Sequence, residues 1–532
     1  MLLGHYLSRF WLACSLSFCL FAPYLSRYTD AANRFFFYWV RADLFSLLFC
    51  VVAAGFIFFL CYVLFYLAGT AATKKICEIF FIVLTGIAAV ANISCMVKLS
   101  KIRPAGYIIA LGIFAWIFMA GGMVWLCLKH RRRIITICMA LCFIVSPLFP
   151  VFTLNALGYP SLTPDIGAMP TASAENPFKS GVRRNVYLFI FDEWSYQRSF
   201  QDRRLIQSFP NLQRFADQAM IFHNAAAPSS NTATAVPSIL YQTSLRFVIR
   251  GADLGFEGLE CHPLDQAENI FRRARELGFF TAMIGSAMPY GELLGGAVDF
   301  CRSIHEYKRF GDDFWGVAKY HLLTAALLLP APLFHHERKL VAHYFFNKYR
   351  VVSIDATHNL FAKTVTEQKH PTLAIFHYMI PHLPYIFNGE GGHKDFFTVY
   401  EDNDLPGYYD NLAFTDKMIG EIVATLRGAN KFEESLIIFT TDHGWRFDPG
   451  YDPNEWRLWS LKMRHVPLFI KLPFQNRSVE VDTKFETYHL GNFINRYLDG
   501  EFDLAKAERL LREEGSFKPR PLEEATGHEP GK

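Results

Sequence analysis

Hydrophobic residues fall along this 532-residue chain in two different rhythms. In the first 156 positions they come in long blocks with few charges. Beyond about position 185 they come in short runs separated by amphipathic stretches. Five blocks are long and apolar enough to cross a bilayer, roughly Phe10–Leu25, Leu44–Ala68, Ile76–Val97, Ala105–Leu128 and Ile134–Leu154. The first is short, like a signal peptide. It lacks a small-residue cleavage site and four more blocks follow, so it reads as a retained helix. The later runs predict strands at Val186–Phe191, Thr281–Ile284, Leu373–Met379, Leu436–Thr440 and Val466–Ile470. Helices are predicted at Asn211–Ala219, Asp265–Leu277, Asn411–Leu426 and Glu486–Tyr497. Such alternation predicts an α/β sheet covered by helices on both faces. The expected organisation is an N-terminal five-helix transmembrane anchor (residues 1–157), a linker rich in Pro, Ala, Ser and Thr (158–184), an α/β domain (185–505) and a charged, disordered tail (506–532).

Composition sharpens this picture in three ways. Hydrophobic residues make up 52% and aromatic residues 16%, an excess that sits in the anchor and supports the bilayer as a partner. A net charge of +4, spread thinly, argues against nucleic acid. Nine of the 11 cysteines lie in the anchor, which leaves Cys261 and Cys301 as a pair that could form one disulfide in an exported domain. The basic cluster Lys129, Arg131, Arg132 and Arg133 belongs in the cytoplasm by the positive-inside rule, so the C-terminal domain is expected outside. The segment Phe314–Phe334 is too short and too broken by proline for a sixth span. It reads as a buried helix or as one lying on the membrane surface, where it would guide lipid to the site.

Chemistry-bearing residues gather at the carboxyl ends of the predicted strands, where ligands of α/β sheets bind. Asp192-Glu193 follows the first strand, His377 and His382 flank the end of Leu373–Met379, and Asp442-His443-Gly444 follows Leu436–Thr440. Thr232 lies 39 residues after Glu193 in a Ser/Thr-rich segment that starts a helix. Taken singly, each has a plain structural reading. Thr232 and Glu193 read as helix caps and His377 as a core histidine. Together, two carboxylates, an imidazole and a hydroxyl suit one divalent metal, Zn²⁺ or Mn²⁺, that activates an oxygen nucleophile. His382 is placed to contact a phosphoryl oxygen or protonate a leaving group. Asp192, His377 and His465 are further candidates for substrate or supporting contacts.

In order along about 290 residues, these segments resemble the alkaline phosphatase superfamily in its sulfatase-like branch. They are Phe191-Asp192-Glu193, Thr232-Ala233-Thr234-Ala235-Val236-Pro237, His377 to His382, Tyr409 to Asp416, Asp442-His443-Gly444 and Val466-Pro467-Leu468. An anchor followed by such a domain is similar to membrane phosphoethanolamine transferases and lipoteichoic acid synthases. The resemblance implies a sulfatase-like fold in which Glu193, Thr232, Asp442 and His443 hold the metal and Thr232 attacks. It also implies transfer of a phosphoethanolamine or phosphoglycerol head group from a membrane phospholipid to an envelope glycan or glycolipid. The place of work would be the outer face of a bacterial plasma membrane. A hydrolase of the same fold, or an inactive scaffold binding a lipid or partner, are the alternatives. Two departures matter. No Cys-x-Pro-x-Arg-type motif accompanies Thr232, which argues against sulfate ester hydrolysis. Glu455 also stands where the phosphoethanolamine transferases carry a further histidine, so the simpler four-ligand site of the lipoteichoic acid synthases fits better.

Overall fold

The computed structural model describes residues 2–29, 41–76, 184–250, 267–304, 313–328, 335–394, 405–448, 464–500 and 504–512, with shorter pieces between them. The chain forms two compact units. Met1–Arg34, Trp39–Ser161 and Tyr307–Ala342 make the first, and Phe35–Tyr38, Leu162–Glu306 and His343–Lys532 make the second.

In the first unit, helices α1 (Leu2–Thr29) and α2 (Arg41–Leu67) pack side by side. Among the described residues α2 is the one helix long and apolar enough to cross a membrane, over Asp43–Leu67, and the apolar part of α1 is the shorter Tyr6–Phe21. The expected spans Ile76–Val97, Ala105–Leu128 and Ile134–Leu154 lie almost wholly outside the described residues. Of the five expected spans, the described residues therefore support one clear candidate and one shorter helix. The segment after Phe314 is helical from Phe314 to Leu328 and joins these two helices. Ser46 Oγ donates to the Phe314 carbonyl at 3.2 Å, His321 Nε2 lies 3.0 Å from the Asp43 carbonyl, and the Phe49 ring meets Phe314 and Trp315 edge-on. It is thus a further helix of the N-terminal unit, with Val317, Ala318, Tyr320 and His321 buried.

The second unit is built on eight strands: β1 (Val186–Phe191), β2 (Met220–Phe222), β3 (Phe280–Ser286), β4 (Phe300–Ile304), β5 (Thr372–Tyr378), β6 (Leu436–Thr440), β7 (Leu468–Lys471) and β8 (Val479–Val481). Their order across the sheet is β8-β2-β7-β6-β1-β5-β3-β4. Only β7 runs against its neighbours, so the sheet is mixed. Alternate residues of β1 serve two cores, as a strand buried on both faces requires. Val186, Leu188 and Ile190 enter one, and Tyr187, Phe189 and Phe191 enter the other. On the second face Phe189 lies 5.2 Å from the rings of both Phe376 and Phe439, an aromatic row that fixes the register of β5, β1 and β6.

Labelled helices in this unit are α3 (Pro210–Ala216), α4 (Thr232–Tyr241), α5 (His335–Glu367, whose first residues belong to the N-terminal unit) and α6 (Leu405–Gly428). Phe209 gives α3 no side-chain cap. Asp416 of α6 does so instead, accepting from the Asn211 and Leu212 amides at 3.1 and 2.7 Å and from Asn211 Nδ2 at 2.8 Å. Asp416→Ala strands these donors and is expected to lower stability by about 1–3 kcal/mol. A denaturant titration showing no shift in midpoint would contradict that assignment.

Three expectations change here. Among the described residues 267–277, the helix expected over Asp265–Leu277 runs only from Arg272 to Glu276, because Asn269 Oδ1 accepts from the Phe271 and Arg272 amides and holds a turn before it. The tail expected to be disordered from 506 forms a helix, Leu504–Arg512, whose Ala507 and Leu511 are buried in the core; residues 513–532 lie outside the described set. Within the expected linker, Ile166 pairs with Cys301 on the sheet edge. Cys301 is a buried thiol whose pKa burial pushes up, and Cys261 lies outside the described residues.

Candidate metal and nucleophile site

The carboxyl ends of β1, β5 and β6 meet at one point. Ile190 pairs with His377 on one side and Thr440 on the other, and Asp192 extends the ladder by donating its amide to the Tyr378 carbonyl at 2.8 Å. Asp192 keeps the face of Ile190, two residues earlier, and so shares it with His377. One ligand atom each from Asp192, His377 and Asp442 lies within 4.8 Å of the others. His443 Nε2 joins them at 3.7 Å from Asp192 Oδ1 and 3.6 Å from Asp442 Oδ2. Asp192, His377, Asp442 and His443 are all buried.

Four atoms of this cluster are buried without a hydrogen-bond partner, Asp192 Oδ1, His377 Nε2, Asp442 Oδ2 and His443 Nε2, and so is Oε2 of the neighbouring Glu193. Buried polar atoms are normally satisfied, so this convergence fits a cation. The imidazoles are set for that role. His443 Nδ1 faces the Gly444 carbonyl at 2.8 Å, so that nitrogen carries the proton and Nε2 presents its lone pair. Tyr290 does the same for His377. Its hydroxyl donates to the Ser286 carbonyl at 2.9 Å and therefore accepts from His377 Nδ1. Electrostatics agree. Burial, then Asp442 and Glu193, push the Asp192 carboxyl well above the usual carboxylate range. Burial holds His377 down at about 4 and neutral. Burial also raises Asp442, but the His443 and His377 imidazoles and hydrogen bonds from Thr232 and the Glu193 amide bring it below its ordinary value. A divalent cation is the charge this set of carboxylates and lone pairs lacks.

His377 owes its place to Gly285, its partner on β3. A Cβ at Gly285 would stand 2.7 Å from His377 Cβ, closer than such atoms approach. Gly285→Ala is expected to cost about 1–3 kcal/mol and to displace the imidazole, lowering metal affinity. A variant with unchanged melting temperature and metal content would contradict this reading.

Thr232 opens α4. Asn231 is the N-cap, its Oδ1 accepting from the Thr234 amide at 3.0 Å, so the Thr232 hydroxyl is not spent on capping and lies near enough to Asp442 to help hold its carboxyl below its ordinary value.

Glu193, expected in the metal set, is not among the three ligand residues that converge within 4.8 Å. Its φ of 69° is left-handed, an uncommon geometry for a residue with a side chain. Its amide donates to Asp442 Oδ1 at 3.2 Å and its carbonyl accepts from the Tyr408 hydroxyl at 2.8 Å. Oε1 accepts from the amide and Nε of Arg446. His382 sits beyond, its Nε2 3.8 Å from Glu193 Oε2 and 2.8 Å from Arg446 Nη2.

The sulfatase family model matches residues 184–498, more than half of the chain. The chain belongs to the sulfatase family. Among solved structures it is similar to Ps i-CgsB in complex with k-i-k-neocarrahexaose (15% identity, 63% of this chain and 75% of that chain, TM-score 0.43). It is also similar to the lipoteichoic acid synthase LtaP from Listeria monocytogenes (13%, 62% and 76%, TM-score 0.39). A third is the phosphonate monoester hydrolase of Agrobacterium radiobacter (16%, 60% and 78%, TM-score 0.40). A search of curated protein sequences gives no match.

Within this sulfatase-family domain the structure brings together Asp192, His377, Asp442, His443 and Thr232, places Glu193 and His382 beside them, and commits His465 elsewhere. The His465 ring stacks on Tyr196 at 3.7 Å and its Nε2 lies 2.6 Å from the His223 carbonyl. Sequence reasoning ranked His377 as a core residue, although its register opposite Ile190 was the signal for a shared face with Asp192. It passed over Arg446, three residues after His443, and Arg350, which comes from the distant helix α5 and has no local signal.

Proposed function

We propose that this domain transfers a phospho-head-group, phosphoethanolamine or phosphoglycerol, from a membrane phospholipid to an envelope glycan or glycolipid through a phospho-Thr232 intermediate. The observation that carries the reading is the convergence of buried, unpartnered Asp192, His377, Asp442 and His443 ligand atoms, with Thr232, which helps hold the Asp442 carboxyl low, at the start of α4 beside them. Asp192, His377, Asp442 and His443 would hold one divalent metal, Zn²⁺ or Mn²⁺. When bound, such an ion supplies charge for phosphoryl oxygens and lowers the pKa of an adjacent hydroxyl. Thr232 Oγ1 forms a bond to phosphorus as the bond to the diacylglycerol oxygen breaks, its proton passing by way of Asp442 to that departing oxygen so that diacylglycerol leaves as the alcohol. An acceptor hydroxyl then attacks the phospho-Thr232, loses its proton and restores the threonine. The α4 N-terminus adds backbone N–H groups that favour an anionic ester.

An apolar anchor suits a donor and a leaving group that are both lipids, and α2 supports it. The membrane would be a bacterial plasma membrane with several spans, its catalytic domain periplasmic or extracellular. Thr232 without a formylglycine motif favours phosphoryl over sulfuryl chemistry. Labelled phospholipid incubated with the metal-loaded protein, with and without a glycolipid acceptor, tests transfer. Diacylglycerol release that needs an acceptor is expected. Equal release into water would instead establish a phosphodiesterase, and no release from a metal-loaded protein would point to a scaffold.

A further inference from the structure

Arg446 stands four residues after Asp442, and its side chain is 34% exposed. Its Nε and amide donate to Glu193, and its Nη2 reaches His382 Nε2 at 2.8 Å. Arg350 flanks the same imidazole from the other side, buried, with Nη1 and Nη2 donating to the Met379 and Leu383 carbonyls at 2.8 and 2.6 Å. His382 Nδ1 also faces the Leu383 carbonyl, at 2.5 Å, so the proton is on Nδ1 and Nε2 accepts from Arg446. Two guanidinium groups thus border a neutral imidazole next to the metal cluster. One is pinned to backbone carbonyls, and the other is oriented by a carboxylate and open to solvent.

We propose that Arg446 captures the tetrahedral oxyanion of the ester, phosphate or sulfate, by exchanging His382 Nε2 for one of its oxygens. A guanidinium bond to a neutral imidazole is weaker than its charge-assisted bond to an oxyanion, so the exchange runs toward the ligand. Glu193 aims the fork and holds its Nε while Nη2 changes partner. The exchange also uncovers the His382 Nε2 lone pair beside the bound ester. Arg350 stays in place and keeps His382 oriented. Arg446 is then a substrate-binding residue, and Glu193 the residue that positions it. This inference rests on the reading of the site as an ester-transfer centre.

The test titrates inorganic phosphate and, separately, sulfate into the full chain in detergent, loaded with Zn²⁺ or Mn²⁺. The variants are Arg446→Gln, Arg446→Lys and Glu193→Gln, with metal content and melting temperature as controls. Arg446→Gln should weaken anion binding by about 10- to 100-fold, and Arg446→Lys by less, because it keeps the charge but not the fork. On a turned-over ester, Arg446→Gln should raise KM more than it lowers kcat. Tighter binding of phosphate than sulfate would assign the ester class to phosphoryl, and the reverse to sulfuryl. If Arg446→Gln fails to fold, Arg446→Lys and Glu193→Gln carry the test, and wild-type binding in both overturns the proposal. Wild-type binding by Arg446→Gln, or no binding of either anion by the wild type, also overturns it. Loss of turnover in Thr232→Ala alongside unaltered anion binding in Arg446→Gln would leave the transfer reading standing and remove Arg446. Arg446-dependent anion binding by a protein that turns over no ester would do the opposite.

Discussion

Thr232→Ala is expected to lower turnover by on the order of 10⁴-fold or more, the scale on which a covalent nucleophile's loss is felt. The substitution should do this without unfolding the domain. Asn231 caps α4, and the helix packs through Ala235, Val236, Ile239 and Leu240, which are fully buried. Removing the hydroxyl deletes one of several groups that lower Asp442 and leaves the cluster's remaining contacts in place. Thr232→Ser retains the oxygen and should recover part of the rate. Metal content, melting temperature and turnover measured together separate the cases. An inactive variant that keeps its metal and stability supports the nucleophile. An active Thr232→Ala would remove the threonine from the chemistry altogether.

Asp192→Asn and Glu193→Gln, adjacent in the chain, are expected to differ widely. Asp192 places an unpartnered carboxylate oxygen among Asp442, His377 and His443, whereas one Glu193 oxygen is taken by Arg446 and the other lies 3.8 Å from His382 Nε2. Asp192→Asn should weaken metal binding by about 100-fold or more, at least as much as loss of an outer supporting group would cost. Glu193→Gln should leave metal affinity within about tenfold. Metal-free Asp192→Asn should also be no less stable than the metal-free wild type, because it removes a buried carboxyl crowded by Asp442 and Glu193. Chelator competition on each variant measures the affinities. The opposite ranking would return Glu193 to the metal.

The sheet was legible from the chain because its central strands are short apolar runs bounded by polar residues. β1 and β6 begin and end at the residues the pattern predicts, and β5 is displaced by one. Less visible were β2, β4 and β8. Their three to five residues carry too little periodicity to separate from loops. The helix α5 was missed because its sequence shows no single apolar face; the helix read within Phe314–Phe334 forms over Phe314–Leu328, but its packing on the N-terminal helices left no local signal because its partners lie some 270 positions earlier. At the site, position along the chain identified the right loops but not which of two adjacent carboxylates turns inward. That choice depends on the ladder continuing through Asp192 and on the left-handed turn at Glu193, stabilised by Asp442 and Tyr408 from distant segments. Family resemblance alone pointed to Glu193. The rule that side chains two apart on a strand share a face would have pointed to Asp192, two residues beyond Ile190, the partner of His377.

The central claim is that Thr232 carries the head group. Intact-mass spectrometry of the metal-loaded full chain, incubated with mixed phospholipids beside Thr232→Ala, tests it most directly. The account predicts a mass increase equal to one phospho-head-group in the wild type and none in the variant, with the size of the adduct naming the donor. The same adduct on Thr232→Ala, or turnover of phospholipid through a wild type that never acquires one, would contradict it.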